Sequence, residues 1–125
     1  MIIDTDVFIW YLRGRESAAK TLSSLSNVKL SAISYMELVQ GMRGKTELNL
    51  FRKEMMQYDW KILTLTPEVT SRAMTYVEEF ALSHSMMLAD ALIAATSVHY
   101  GETLLTGNIK HYQFLTELHL EKFKA

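Results

Sequence analysis

The chain has 125 residues and a formal net charge of −1, with 13 basic and 14 acidic side chains. This length is enough for a single domain over residues 1–125 with one core. The near-neutral charge argues against a protein that coats nucleic acid through bulk charge, but it leaves room for a local basic rim around an acidic pocket.

The absence of cysteine excludes disulfides and thiolate metal sites, and it favours a reducing cytoplasm as the setting. No apolar run approaches the roughly 20 residues of a membrane span, so we expect no contact with a membrane. The first residues lack the basic and apolar pattern of a signal peptide.

Short apolar segments alternate with helical patterns along the whole chain. In chain order we predict a strand at 1–3, helices at 7–12 and 16–25, a strand at 28–33, a helix at 34–42, an amphipathic helix around 48–55, a strand at 60–65, a helix that begins at Thr66-Pro67, an apolar helix at 86–98, a strand at 103–105 and an edge strand at 118–120. This alternation indicates an α/β fold with a parallel sheet.

Polar residues directly follow several of these strands. Asp4 follows the first, Ser34 and Glu37 follow the second, and Thr106 and Asn108 follow the strand at 103–105. Sites in parallel sheets form at the carboxyl ends of the strands, near a switch in strand order. We therefore expect these residues to gather at one edge of the sheet.

Asp90 is the only charged residue in the most apolar stretch of the chain, residues 86–98. Apolar residues cover nearly every side of the predicted helix, so we expect it to be largely buried. A buried carboxylate is costly without a cation or several donors, and no lysine or arginine lies within a helical turn. Its partner must come from elsewhere in the fold or be a metal ion, which favours a functional role over a structural one.

Each of the other candidates has an ordinary structural interpretation. Asp4 and Asp6 could cap the first helix, and the Ser34-x-x-Glu37 pattern fits a capping box. Asn108 suits a turn, and His111 taken alone is typical of a surface or packing histidine.

The acidic residues taken together are stronger evidence for a functional site than any one of them alone. Carboxylates from separate strand ends and helices, without cysteines or paired histidines, make an all-oxygen site that suits Mg²⁺ or Mn²⁺ rather than zinc. The chemistry that follows is metal-assisted phosphoryl transfer or phosphodiester hydrolysis.

At this point the sequence resembles the PIN domain family, and within it the VapC-type toxins of bacterial toxin–antitoxin pairs. Four motifs that cover almost the whole chain carry the resemblance. They are MIIDTDVFI at 1–9, SAISYMEL at 31–38 followed by Gly41, LADALIAA at 88–95, and LTGNIKHY at 105–112.

The resemblance implies a single α/β/α domain around a central parallel sheet of four to five strands, and a Mg²⁺-dependent ribonuclease (with Mn²⁺ as an alternative metal). Its acidic ligands would be Asp4, Glu37 and Asp90. Asp4 and Asp90 would hold the metal, and Glu37 would complete the cluster and help to deprotonate the attacking water.

Secondary residues of the same site would be Asp6, Thr106 and Asn108. Thr106 would order Asp4 through its hydroxyl. Asn108 stands where many PIN domains have a fourth aspartate, and this neutral amide argues against a tightly held second metal.

The resemblance also implies the partners. The substrate would be structured RNA, such as a tRNA or ribosomal RNA loop, and the family commonly forms homodimers. A VapB-like antitoxin would inhibit the toxin, and the two helices joined at Gly41 to Gly44 are a candidate docking clamp. The candidate contacts with the RNA backbone are Arg13, Arg15, Arg43, Lys45 and Lys110.

Other classes of protein remain open from the residues alone. A receiver domain of a signalling pathway has a similar length, but Asp59 precedes its strand and so lies at the wrong end for phosphorylation. A haloacid-dehalogenase-like phosphatase shares the Asp4-x-Asp6 start but needs a further acidic pair and usually a cap domain. A PIN-like module that binds RNA or protein without cutting is the third alternative.

Overall fold

The computed structural model describes residues 1–125 as one α/β unit, which confirms the predicted fold class. Five strands form a single sheet: β1 (Ile2–Ile3), β2 (Lys29–Ser31), β3 (Lys61–Leu63), β4 (Leu104–Thr106) and β5 (Leu120–Lys122). The helices are α1 (Thr5–Leu12), α2 (Glu16–Ser24), α3 (Ala32–Gln40), α4 (Lys45–Gln57), α5 (Pro67–His84) and α6 (Leu88–His99), with a short 3₁₀ turn at Ile109–His111. No helix is both long and apolar enough to cross a membrane.

All strand pairs are parallel, and the strand order is β3-β2-β1-β4-β5. The chain runs outward from β1 through β2 to β3 and then returns to β4 on the other side of β1. The order therefore switches between β1 and β4, where Ile3 pairs with Leu105. A crevice at the carboxyl ends of these two strands is the place where such folds bind ligands.

The core has one part on each face of the sheet because successive strand residues point to opposite faces. Ile2 and Leu104 face α5 and α6, together with the fully buried Tyr112. Ile3 and Leu105 face the opposite helices and join an aromatic group. That group contains Phe8, Phe51 and Trp60.

Two predicted helix starts have different outcomes. Thr66 accepts a hydrogen bond from the Val69 amide at 3.1 Å, with Pro67 in the first turn, so the predicted start of α5 is confirmed. The predicted capping box at Ser34 is wrong. Ser31 is the cap instead, because its hydroxyl accepts from the Ile33 amide at 3.3 Å, and α3 begins at Ala32, two residues before the predicted start at Ser34.

The bounds of several other elements also differ from the prediction by a few residues, and the differences at two strands are the ones nearest the site or the core. The second strand ends at Ser31, where α3 takes over, and the last strand is Leu120–Lys122 rather than residues 118–120. Leu118 is buried against the core and precedes β5 instead of belonging to it. Neither shift changes which strands neighbour each other.

Candidate active site

Asp4 lies at the switch point and is the most buried of the candidate acids, with 4% of its surface exposed. It directly follows β1 and is also the N-cap of α1, where its Oδ1 accepts from the Thr5 amide at 2.8 Å. Its Oδ2 accepts from the Thr106 hydroxyl at the end of β4, at 2.7 Å. Two neighbouring strand ends therefore fix both carboxylate oxygens.

Asp6 is held by the turn that follows β4. Its Oδ2 accepts from the Gly107 amide at 2.9 Å and from the Asn108 side-chain amide at 3.3 Å. Asn108 also donates its backbone amide to the Thr106 hydroxyl at 2.9 Å. The other oxygen of Asp6, Oδ1, is buried and has no hydrogen-bond partner.

The helix α6 is largely buried between Ala91 and Ser97, as predicted, but Asp90 does not lie deep within it, so the predicted environment of Asp90 is wrong. Because α6 begins only at Leu88, Asp90 is in its first turn, where a negative charge is favourable, and 22% of its side chain is exposed. Its Oδ1 accepts from the Tyr112 hydroxyl at 3.1 Å, and its Oδ2 lies 3.2 Å from His111 Nδ1. The partner does come from elsewhere in the fold, but it is a neutral hydroxyl and an imidazole.

Glu37 reaches the site through Thr5. The Thr5 hydroxyl donates to Glu37 Oε1 at 2.8 Å, and its oxygen lies 2.9 Å from the hydroxyl of Ser34, which is fully buried. Thr5 thus contacts Asp4 through its amide and Glu37 through its side chain. One residue joins acids that come from β1 and from α3.

Burial and mutual repulsion make the centre of the site electrostatically costly. Burial, followed by the charge of Asp6 and more weakly that of Asp90, raises the pKa of Asp4 to about 7, against the lowering effect of its hydrogen bonds. Burial likewise raises the pKa of Asp6, with Asp90 adding to the shift. No lysine or arginine pairs with any of these acids.

No group of three or more acidic or histidine side chains stands in a ready-made metal-binding arrangement. The donor chemistry nevertheless fits a hard divalent cation, because all the acidic donors are oxygens. Asp4, Asp6 and Asp90 repel one another, and Asp6 keeps a buried oxygen without a partner. A cation between them would reduce their mutual repulsion and give the buried Asp6 oxygen a partner. Glu37 lies at the margin of this group, where it accepts a hydrogen bond from Thr5.

The five basic candidates for RNA contact are distributed unevenly around the site. Arg13 and Arg43 line a groove of about 620 Å³ that also contains Glu37, and Lys110 lies in the 3₁₀ turn beside Asp6 and Asp90. Arg15 instead stacks over the Trp10 ring at 4.5 Å, and Lys45 lies at the start of α4. Arg43 is 3.7 Å from Glu47, which partly satisfies its charge.

Sequence reasoning assigned no site role to Thr5, Tyr112 or His111. Tyr112 has the pattern of a core aromatic residue, which it also is. The available signal was their position inside the first and fourth motifs, beside Asp4 and Asn108. Their contacts with the acids depend on tertiary packing, which local patterns do not encode.

Comparison with known proteins gives a consistent result. A family model described as PIN domain matches residues 1–114, a span that contains every candidate acid. Ribonuclease VapC19 of Mycobacterium tuberculosis is 28% identical over 122 residues, which are 94% of this chain and 95% of that protein.

Solved structures share the fold. DNA-bound VapBC from Salmonella typhimurium matches with a TM-score of 0.83 at 16% identity, over 98% of this chain and 97% of that chain. VapBC2 from Rickettsia felis, bound to a promoter DNA fragment, matches with a TM-score of 0.76 at 20% identity, over 98% of both chains. On the match of the family model over most of its length, the chain belongs to the PIN domain family.

Proposed function

We propose that this PIN domain is a ribonuclease toxin of the VapC type that uses Mg²⁺ to hydrolyse phosphodiester bonds in structured RNA. The observation that carries the proposal is the group formed by Asp4, Asp6 and Asp90, whose negative charges have no lysine or arginine partner. The likeness over nearly the full length to a protein named Ribonuclease VapC19 supports the same activity.

The proposed roles follow from the contacts of each acid. Asp4 and Asp90 would hold the cation, with Mn²⁺ as the alternative to Mg²⁺, and Asp6 would offer its Oδ1, which has no hydrogen-bond partner. A bound divalent ion would stabilise charge on the scissile phosphate and lower the pKa of a water. Thr106 and the Thr5 amide keep Asp4 in place. Glu37, which only Thr5 binds, is free to accept a proton from the attacking water at its second oxygen.

The proposed partners follow from the family and from the surface. The VapBC neighbours support a VapB-like antitoxin as the partner. The groove between α1, α3 and α4 contains Ile9, Leu12 and Leu50 as exposed apolar side chains, and it places Arg13 beside Glu37. A segment of the antitoxin in this groove would cover Glu37. A homodimer and a cytoplasmic location complete the proposal as predictions.

The test is end mapping of total RNA after brief induction of the protein, followed by cleavage of the identified RNA in vitro with Mg²⁺, with Mn²⁺ and with EDTA. Asp4→Asn and Asp90→Asn remove charge from the centre at nearly constant volume. Asp59→Asn is the matched control, because Asp59 is exposed next to β3 at the opposite edge of the sheet.

We expect discrete new RNA ends with the wild-type protein and with Asp59→Asn, and none with Asp4→Asn or Asp90→Asn. Mg²⁺ should also raise the melting temperature of the wild-type protein, by an amount that corresponds to about 2.7 kcal/mol when the ion is at 100 times its Kd. Cleavage that persists in EDTA or in Asp90→Asn would contradict the proposal. Binding of RNA without any cleavage would favour the non-catalytic alternative instead.

A further inference from the structure

A pocket of about 390 Å³ opens beside the acidic group, between the 3₁₀ turn and the end of β5. Its polar side chains come from Asn108, Lys110, His111, Gln113 and Lys122, and no carboxylate lines it. We call this cavity the basic pocket. Three other cavities each have an acidic residue in their lining, and none of them contains a lysine.

The sheet register fixes the position of Lys122. Lys122 on β5 pairs with Thr106 on β4, and the Phe123 amide donates to the Thr106 carbonyl at 2.8 Å. Thr106 in turn donates its hydroxyl to Asp4. Neighbouring strands lie about 4.8 Å apart, so the backbone of Lys122 is one strand spacing away from the residue that holds the central acid.

The walls of the basic pocket are attached to the acidic group. The Asn108 side chain donates to Asp6, and the His111 ring contacts Asp90. Lys110 and Lys122 are exposed, and neither forms an ion pair with an acid. Two uncompensated ammonium groups therefore stand directly beside an uncompensated group of carboxylates.

This juxtaposition matters for a polyanionic substrate. The chain has a net charge of −1, so long-range attraction does not bring RNA to the site, and the acids themselves repel phosphate. Contacts with backbone phosphates fix the register of a nucleic acid on a protein without reading its sequence. Ammonium groups supply such contacts through charge-assisted hydrogen bonds.

We propose that the basic pocket binds an RNA backbone phosphate next to the scissile one, with Lys110 and Lys122 as its ligands. The inference rests on the proposed function and adds Lys122 and Gln113 to the candidate RNA contacts. The amide of Gln113 offers a further donor at the pocket wall. Since the contact is with the backbone, it strengthens binding without selecting the bases.

The test compares two variants that each lose two positive charges. Lys110→Ala/Lys122→Ala removes both ammonium groups of the basic pocket. Lys20→Ala/Lys53→Ala is the matched control, because these exposed lysines lie on α2 and α4 and line neither the basic pocket nor the three other cavities. Binding of a short fluorescent single-stranded RNA is measured in EDTA over a range of salt concentrations, and inorganic phosphate is tested as a competitor.

We expect the pocket variant to bind RNA more weakly than the control variant. The plot of log K against log salt should become less steep, by about 0.7 in slope for each phosphate contact that is lost. With Mg²⁺ and the mapped RNA, KM should rise while kcat stays close to the wild-type value. Thermal melting should show both variants folded, because surface substitutions usually change stability little.

Three outcomes would overturn the inference. One is equal RNA affinity and salt slope in the two variants. Another is a wild-type protein that binds no RNA. The third is a basic pocket that binds inorganic phosphate although removal of its two lysines leaves RNA binding unchanged. Failure of the proposed function gives a different result. A protein that binds RNA through the basic pocket in EDTA but never cleaves it would contradict the proposed function and still agree with the inference about the pocket.

Discussion

The hydroxyl of Tyr112 donates to Oδ1 of Asp90 at 3.1 Å from a side chain that is fully buried. Burial and the charges of Asp4 and Asp90 raise the pKa of Tyr112, so its hydroxyl stays protonated and remains a donor. His111 approaches the other oxygen of Asp90 from an exposed position. Tyr112 is therefore the fixed partner of Asp90, and His111 is the partner that a ligand can replace.

Tyr112→Phe should weaken Mg²⁺ binding while leaving the fold intact. Phenylalanine keeps the ring in the core but removes the donor, so Asp90 loses the contact that fixes its orientation. Hydrogen-bond partners of metal ligands typically contribute 10- to 100-fold to metal affinity, and we expect a loss in about that range. Isothermal titration calorimetry with Mg²⁺ measures it without an RNA substrate.

Tyr76→Phe is the matched control for this prediction. Tyr76 is also buried and donates its hydroxyl to a carboxylate, that of Glu117, which is not one of the candidate acids. Both variants should lose about 1.5 to 3 kcal/mol of unfolding free energy, which is typical of one hydrogen bond to a charged group. Equal Mg²⁺ affinity in the two variants would mean that Tyr112 serves the core alone.

The order of the elements could be predicted because its signals are local. Apolar strands, helical spacing and the Thr66-Pro67 start each depend on a few neighbouring residues, and together they determine an α/β fold. The start of α3 could not be predicted in the same way. Ser31 and Ser34 both suit an N-cap, and only the packed structure shows that Ser34 is buried and bonded to Thr5.

The site was predictable only in part, for a similar reason. Acids that follow neighbouring strands of a parallel sheet gather at one edge of it, so the position of Asp4 could be predicted without knowledge of the tertiary structure. The environment of Asp90 did need it. Its exposure depends on where α6 begins, and its partners depend on how the 3₁₀ turn at Ile109–His111 approaches that helix.

Gly107→Ala should disturb the site although the residue carries no side chain of its own. A Cβ at this position would lie 2.7 Å from Asp6 Oδ2, closer than any ordinary contact. The Asp6 carboxylate would have to move, and its bonds from the Gly107 amide and Asn108 would break. We expect RNA cleavage to fall by about 10- to 100-fold, with a smaller effect on thermal stability.

The control for this substitution is Gly44→Ala. Gly44 has an extended backbone that any residue adopts, and nothing lies within 4 Å of a Cβ built there. Cleavage should remain at the wild-type level in this variant. If Gly107→Ala also cleaved at that level, the position of Asp6 would have no bearing on the reaction.

The stability of the protein in EDTA should fall as the pH rises from about 4 to about 7. The pKa of Asp4 is raised in the folded state, so the native protein binds this proton more tightly than the unfolded chain does. The stabilisation is complete below the unfolded pKa and is lost as the pH passes through the folded pKa. For one proton the slope is at most about 1.4 kcal/mol per pH unit.

Urea unfolding at several pH values in EDTA measures this slope. Asp4→Asn should flatten it, although a part should remain because the pKa of Asp6 is raised as well. Mg²⁺ should restore stability most strongly above about pH 7, where Asp4 is ionised in the native protein as well. If the free energy of unfolding of the wild-type protein stayed constant or rose between these pH values, burial would not raise the pKa of Asp4.

Thr5→Val should separate binding of the cation from the chemical step. Valine has nearly the same shape as threonine, and the backbone amide of residue 5 can still donate its hydrogen bond to the Asp4 carboxylate. The substitution removes only the hydroxyl that binds Glu37. If Glu37 accepts the proton of the attacking water, its misplacement should lower kcat by about 100-fold while Mg²⁺ affinity changes little. Thr5→Ser restores the hydroxyl and should recover most of the rate. A valine variant with wild-type kcat would place Glu37 outside the reaction, whereas loss of Mg²⁺ binding would make Glu37 a ligand of the cation.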